Sequence, residues 1–254
     1  MRALEGRHAV ITGGGTGIGA AIARALAAEG AACTLIGRRR EPLEAVAGGL
    51  PRALAVPADV TQPEQIAGAL DAGRAVHGPV DIIVNNAGVA GAAPLHRLTL
   101  AEWRASIATN LDAVFLVTQA CLGDLKAQAN GRVVTVASTA GLKGYAYTAH
   151  YCAAKHGAVG LTRALAMELA GTRVTVNAVC PGFTDTEIVA ESAERIAARS
   201  GRSIGEARAE LARFNPQGRL IAPEEVASAV LWLCRPEQAS VTGQAIAIAG
   251  GEVM

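Results

Sequence analysis

In the stretch HYCAAKHG, residues 150–157, a tyrosine and a lysine stand four residues apart. The chain has only three of each, so chance would place such a pair in about 0.04 chains of this composition. Tyr151 and Lys155 at i and i+4 share one face of a helix. A free phenol has a pKa of about 10, too high for proton exchange at neutral pH. A neighbouring cation favours the phenolate, so Lys155 is expected to lower the Tyr151 pKa. Read alone, the pair fits a proton-transfer unit or two exposed residues on a helix. His150 and His156 flank it without metal-ligand spacing, so no metal is expected. A surface position is expected for His150.

A second cluster lies near the start. TGGGTGIG, residues 12–19, follows an apolar run and opens an alanine-rich segment. Gly13, Gly17 and Gly19 would leave room for backbone to approach a pyrophosphate at a helix N-terminus. LIGRRR, residues 35–40, ends the next apolar run. An NAD-binding chain carries Asp or Glu there for the ribose 2′-hydroxyl. Here the place falls at Gly37, followed by Arg38 and Arg39, and a guanidinium matches a 2′-phosphate. NADP(H) is therefore the expected cofactor and NAD(H) the alternative.

These residues need a frame to bring them together. Short β-branched runs at 8–12, 32–37, 53–56, 81–84, 132–137, 173–179 and 245–249 read as strands. Helices are predicted at about 17–29, 41–49, 63–76, 100–127, 150–170, 187–213 and 223–234. Nearly continuous apolar strands alternating with helices indicate a parallel sheet covered on both faces. No linker divides the chain, so residues 1–254 read as one α/β doubly wound domain. Thr61 and Thr99, each with Glu three residues on, are predicted helix caps, and Pro223 a first helical position. The insertion at about 187–222 follows a late strand and reads as a helical lid over the ligand crevice.

With these motifs in order, the sequence resembles the short-chain dehydrogenase/reductase family over essentially its whole length. The matching pieces are TGGGTGIG, ADV (58–60), NNAG (85–88), TNL (109–111), VAST (136–139), YCAAK (151–155) and CPGFTDT (180–186). Ser138 precedes Tyr151 by thirteen residues. The resemblance implies a Rossmann domain with seven parallel strands and a catalytic set of Asn110, Ser138, Tyr151 and Lys155. In that reading Tyr151 exchanges the proton, Lys155 supports it and bonds the nicotinamide ribose, and Ser138 donates to the carbonyl oxygen. Asn110 would hold a water that links Lys155 to solvent. The implied cofactor contacts are Gly13, Thr16, Gly17, Ile18, Gly19, Arg38, Arg39, Asp59, Val60, Asn86, Ala87, Gly88, Tyr151, Lys155, Pro181, Gly182, Thr184 and Thr186. Many NADP-dependent members carry a basic residue where Thr16 stands, so cofactor choice leans on Arg38, alone or with Arg39.

The stretch from YCAAKHGAVGLTRALAMELA through VNAVCPGF is similar to the 3-oxoacyl and polyketide ketoreductase branch. This implies reduction of a 3-oxoacyl thioester or related ketone. The alternatives are an NAD-dependent 3-hydroxyacyl-CoA or secondary-alcohol dehydrogenase and, more distantly, a non-catalytic nucleotide-sensing protein. The pocket is expected from residues 89–94, 139–148, 182–188 and the lid. Ala90, Ala140 and Thr148 stand where hydroxy-acid enzymes of the family place polar clamps, which argues against a small free hydroxy acid. The lid's Arg195, Arg199, Arg202 and Arg208 form either a solvated face or a docking site for phosphates of a coenzyme A or carrier thioester.

The remaining composition sets bounds. Formal charge is +1, which gives no electrostatic footprint for nucleic acid or an anionic membrane. Five scattered cysteines without a Cys-x-x-Cys read as reduced, mostly buried residues. No uninterrupted apolar run approaches a membrane span, and the N-terminus lacks a signal-peptide layout. The expectation is a cytoplasmic protein, assembled as in the family into a homotetramer or homodimer.

Overall fold

The strands are β1 His8–Thr12, β2 Ala32–Gly37, β3 Ala53–Pro57, β4 Ile82–Asn85, β5 Arg132–Val136, β6 Thr175–Pro181 and β7 Ala245–Ile248. The helices are α1 Gly17–Ala28, α2 Arg40–Gly48, α3 Pro63–His77, α4 Leu100–Ile107, α5 Ala113–Ala127, α6 Ala149–Glu168, α7 Glu187–Ser200, α8 Ile204–Ala212 and α9 Pro223–Cys234. The computed structural model describes residues 2–254, the Arg199 side chain apart.

All seven strands run parallel in one sheet, in the order β3-β2-β1-β4-β5-β6-β7. Alternate residues of a strand point to opposite faces. Along β1, Ala9 and Ile11 enter one core with Leu35 and Val84, and Val10 enters the other with Ile36 and Ile83. Helices α1 and α9 close the first core through Ile22, Leu26, Val226 and Val230. Helices α3, α5 and α6 close the second through Leu70, Val117 and Ala166. Two covered faces are the reason the strands read as apolar runs rather than alternating patterns. The order reverses between β1 and β4, so a crevice opens beyond their C-terminal ends.

The predicted elements need four corrections. The helix expected over 100–127 is α4 and α5 joined by a π-helical turn, Ala108–Asp112. That turn rotates Asn110 into the interior, where it is fully buried. The combined run Leu100–Ala127 is long and apolar enough, by length and composition, to cross a membrane, against the expectation of no such run. In this fold its Val117, Cys121 and Leu125 are core residues.

The helix expected over 187–213 breaks at Gly201, which is left-handed at φ 72°, and α8 restarts from a Ser203–Glu206 capping box. Thr99 and Glu102 form their capping box as predicted, but Thr61 caps nothing. Its hydroxyl donates to Asp59 Oδ1 at 2.8 Å, and α3 starts from Gln62 with Pro63 in the first turn. Strand β6 lies two residues further on than predicted at each end, pairing Pro181 with Ile248. The lid's two ends are clipped together by the bridge between Thr184 and Ile221.

Candidate active site

The turn after β1 is shaped by residues that make little room for anything else. Gly13 and Gly17 are left-handed at φ 65° and 50°. A Cβ on Gly19 would stand 2.1 Å from Gly13 O and 2.5 Å from Asn86 Nδ2. A Cβ on Gly17 would meet Thr186 Cγ2 at 3.0 Å. Asn86 donates from Nδ2 to Thr12 O and Gly13 O at 2.9 and 3.2 Å. Thr12 Oγ1 in turn accepts from the backbone N–H groups of Asn86 and Ala87. Asn86 thus fixes the glycine turn to the end of β4, and Thr12, which the sequence reading passed over, is its counterpart. The Thr16 side chain does not cap α1, so the first-turn N–H groups of that helix stay available to an anion.

Beside the turn is a cleft of about 390 Å³ lined by Gly13, Thr16, Arg38, Asp59, Val60 and Gly88, among others. Asp59 is held below the usual carboxylate range, first by the Thr61 backbone N–H and also by the Thr61 hydroxyl and the Arg38 charge. Arg38 and Arg39 are both exposed at the cleft, but Arg39 pairs with Glu187 of α7 at 2.9 Å. Ile18 packs partly on the α1 core. Thr186 starts α7 with its hydroxyl on Thr184 O, and Thr184 is buried with its hydroxyl on Gly182 O. Glycine turn, free helix N-terminus, cleft and exposed arginine fit a dinucleotide.

The four expected catalytic residues come from three places around the ends of β4 and β5: Asn110 from the π-helical turn, Ser138 from the end of β5, and Tyr151 and Lys155 from α6. Asn110 Oδ1 accepts from Val89 N–H at 3.1 Å, and its Nδ2 donates to Val89 O and Ser106 O, each at 3.0 Å. One lone pair on Oδ1 is left for a further partner. A Cβ on Gly88 would lie 2.9 Å from that oxygen and 3.7 Å from Lys155 Nζ, so the asparagine and the lysine meet across Gly88. Lys155 is 5% exposed, donates to Val136 O at 2.9 Å, and sits 5.7 Å from the centre of the Tyr151 ring. Ser138 Oγ accepts from Ala140 N–H at 3.1 Å, which leaves its own hydrogen free to donate.

Burial sets the proton positions here, against the expected depression of Tyr151. Desolvation raises the Tyr151 phenol above its ordinary value, with the Ser138 hydroxyl acting the other way. Lys155 is pushed down to about 8 by burial. Beneath them the buried Cys180 thiol is pushed up to about 11, again by desolvation, and is no nucleophile at neutral pH. The chain by itself therefore holds a neutral tyrosine, the form that can give a proton to an alkoxide.

Residues 7–197 match the family described as short chain dehydrogenase. The chain is a short-chain dehydrogenase/reductase. Over 254 residues the dehydrogenase is 40% identical to cis-4-hydroxycyclohexanecarboxylate dehydrogenase of Sinomonas cyclohexanicum, covering 98% of this chain and 97% of that one. It is 35% identical over 252 residues to the 3-oxoacyl acyl-carrier-protein reductase of Escherichia coli, covering 99% of each. An actinorhodin polyketide ketoreductase variant solved with NADPH superposes with a TM-score of 0.92 at 37% identity, covering 97% of each chain. The dehydrogenase is thus an NAD(P)-dependent oxidoreductase acting on CH–OH and C=O groups, and it resembles the 3-oxoacyl and polyketide ketoreductases.

An aromatic wall next to the Ser138–Thr139 turn was only partly foreseen. Tyr145, Phe183 and Phe214 pack with ring centroids 5.0–6.2 Å apart, although Phe, Trp and Tyr make up only 3% of the chain. His150 is buried, 5% exposed, rather than on the surface, and its Nε2 faces Gly91. Glu252, which the sequence reading did not single out, reaches Tyr145 and Lys143 from the C-terminal segment. The lid arginines do not gather. Arg195 pairs with Glu191, Arg202 with Glu210 and Arg208 with Asp185, and the Arg199 side chain lies outside the described part. This is the solvated face of an amphipathic helix pair, so the arginines lend no weight to a phosphate dock.

The depressed lysine carries a stability signature. Below pH 8 both folded and unfolded dehydrogenase protonate Lys155, and the buried charge opposes folding in full. Between about 8 and 10.4 the unfolded state binds more protons, so stability from this group rises with pH. Lys155→Met is expected to lose turnover, and its Tm relative to wild type should decline from pH 7 to pH 10. Scanning fluorimetry of the ligand-free proteins measures this; a pH-independent difference would contradict the assignment.

Proposed function

We propose that this dehydrogenase moves a hydride between NADP(H) and a ketone or secondary alcohol, with a 3-oxoacyl thioester or related ketone as substrate. The observation that carries the reading is the convergence of Ser138, Tyr151, Lys155 and Asn110 beside the glycine-turn cleft. The cofactor supplies or accepts the hydride. Ser138 gives its free hydroxyl hydrogen to the substrate oxygen, where negative charge develops during reduction. Tyr151 donates the proton that completes the alcohol and takes it back in oxidation. Lys155 supplies positive charge near the ring, and the remaining Asn110 lone pair holds a water on the path from Lys155 to solvent.

Arg38 supports NADP(H). It stands exposed at the cleft just past β2, where no carboxylate is present to claim a 2′-hydroxyl. Arg39 is occupied by Glu187 and contributes less. The aromatic wall of Tyr145, Phe183 and Phe214 favours a second reading of the substrate, a ring-bearing ketone or alcohol. The relative named for cis-4-hydroxycyclohexanecarboxylate fits that reading.

The test follows absorbance at 340 nm with NADPH and NADH against acetoacetyl-CoA, longer oxoacyl thioesters, aryl and cyclic ketones and secondary alcohols. Turnover is expected with NADPH and at least one ketone class. Arg38→Asp should raise the KM for NADPH by about tenfold or more, since one charge-assisted phosphate pair becomes a repulsion. The KM for NADH should move far less. Equal changes for both cofactors would remove the 2′-phosphate assignment, and no turnover with any ketone would remove the reading as a whole.

A further inference from the structure

After β7 the chain turns through two left-handed glycines, Gly250 at φ 61° and Gly251 at φ 93°. A Cβ on Gly250 would stand 1.9 Å from Asn215 Oδ1 at the base of the lid, so this turn is fixed against its neighbour. It delivers Glu252 against Lys143 and Tyr145, in the segment expected to line the substrate pocket, where the side chain is 2% exposed. Oε1 accepts from the Tyr145 hydroxyl at 2.5 Å and faces Lys143 Nζ at 3.1 Å. Among the described residues, Oε2 is buried without a hydrogen-bond partner, and it faces Gly182. The Tyr145 oxygen lies 2.6 Å from Thr139 Oγ1, next to Ser138, and its ring packs edge-on against Phe183 and Phe214. Lys143 Nζ also lies 5.0 Å from the centre of the Tyr145 ring, and its side chain is 38% exposed.

One carboxylate therefore ties the C-terminal segment to the loop before α6 and, through the Tyr145 hydroxyl, to the Ser138–Thr139 turn. A buried carboxylate is costly unless it is paired, and here its pairing is with the one wall cation it touches. Without that partner, Lys143 would offer an exposed ammonium to the substrate.

We propose that Glu252 is a specificity-determining residue that fixes Tyr145 in the wall and masks Lys143, so that the site selects ketones with an uncharged body over ketones bearing a carboxylate. This rests on the ketoreductase reading above, and the masking sets the chemistry that the wall accepts.

Glu252→Gln separates the two roles, because the amide oxygen still accepts from Tyr145 while the negative charge is gone. The readout is the ratio of kcat/KM for a neutral ketone to that for a carboxylate-bearing ketone of similar size, with the NADPH Kd measured alongside by fluorescence. Wild type is expected to favour the neutral ketone. Glu252→Gln should shift the ratio about tenfold toward the anionic one, mainly through KM, the change that marks ground-state binding. NADPH affinity should stay unchanged. Adding Lys143→Met to Glu252→Gln should cancel the shift, as expected for two coupled side chains. Lys143→Met alone leaves Glu252 without its cation and should move the ratio, if anywhere, further toward the neutral ketone.

An unchanged ratio in Glu252→Gln overturns the proposal. So does a shift that persists in the double variant, or a shift toward the anionic ketone in Lys143→Met alone, which remains readable if Glu252→Gln folds poorly. Wild type without turnover on any ketone would instead sink the functional reading.

Discussion

Tyr151→Phe is expected to lower kcat by about a thousandfold, within the range that positioned proton transfer contributes, while the Kd for NADPH stays within about threefold of wild type. Phenylalanine keeps the ring that packs beside Lys155 and removes only the hydroxyl, so the wall keeps its volume. The neutral phenol is the nearest proton source for the developing alkoxide, because burial keeps it protonated. Ser138 can still donate a hydrogen bond to that oxygen, but an aliphatic hydroxyl is a far weaker acid than a phenol and does not replace the proton. Reduction would then leave an alkoxide in a buried site, where unneutralised charge is costly. The glycine turn and the Arg38 cleft are built from other elements, which is why binding should survive. Stopped-flow turnover and fluorescence titration measure the two quantities separately. A variant retaining more than about a tenth of wild-type kcat would remove Tyr151 from the proton path.

Much of this site was legible because its parts are tied to local patterns. Glycine spacing, strand-to-helix alternation and the Tyr–Lys interval are properties of neighbouring residues, and the parallel, doubly wound sheet follows from the alternation. Parts that depend on distant contacts were hidden. The π-helical turn at Ala108–Asp112 leaves the apolar pattern of 100–127 intact, so nothing in the sequence marks the rotation of Asn110. The lid break was within reach, since Gly201 and the Ser203–Glu206 box carry ordinary stop and start signals. Thr61 shows the converse error. Its spacing to Glu64 suits a cap, but Asp59 is two residues away and claims both its N–H and its hydroxyl. The sign of the Tyr151 shift was missed because a charge four residues away is visible in sequence and desolvation is not. Glu252 was missed for the same reason as the aromatic wall. Its partners lie more than a hundred residues earlier, and only the turn at Gly250–Gly251 brings them into contact.

Gly19→Ala should abolish measurable NADPH binding and lower Tm as well, opposite in sign to the usual effect of a glycine-to-alanine change in a helix. In an exposed helix interior alanine is favoured over glycine by roughly 1 kcal/mol. Gly19 lies in the first turn of α1, so propensity alone would make the variant more stable. The surroundings reverse that sign. The new Cβ would stand 2.1 Å from Gly13 O and 2.8 Å from Gly13 C, backbone atoms of the turn itself. It would also stand 2.5 Å from Asn86 Nδ2, the group that ties Gly13 O and Thr12 O to β4. Relief requires the helix to move away from the turn, or Asn86 to release both carbonyls. Either motion displaces the first-turn N–H groups and opens the contact between β1 and β4 at the crevice. Gly68 on α3, with nothing within 4 Å of an added Cβ, is the matched control. Gly68→Ala should bind NADPH normally and melt at or above the wild-type temperature. Thermal melts and fluorescence titrations of both variants decide the matter. Normal binding by Gly19→Ala would mean that the close packing of the turn is dispensable, and with it the reason this glycine stands where the helix begins.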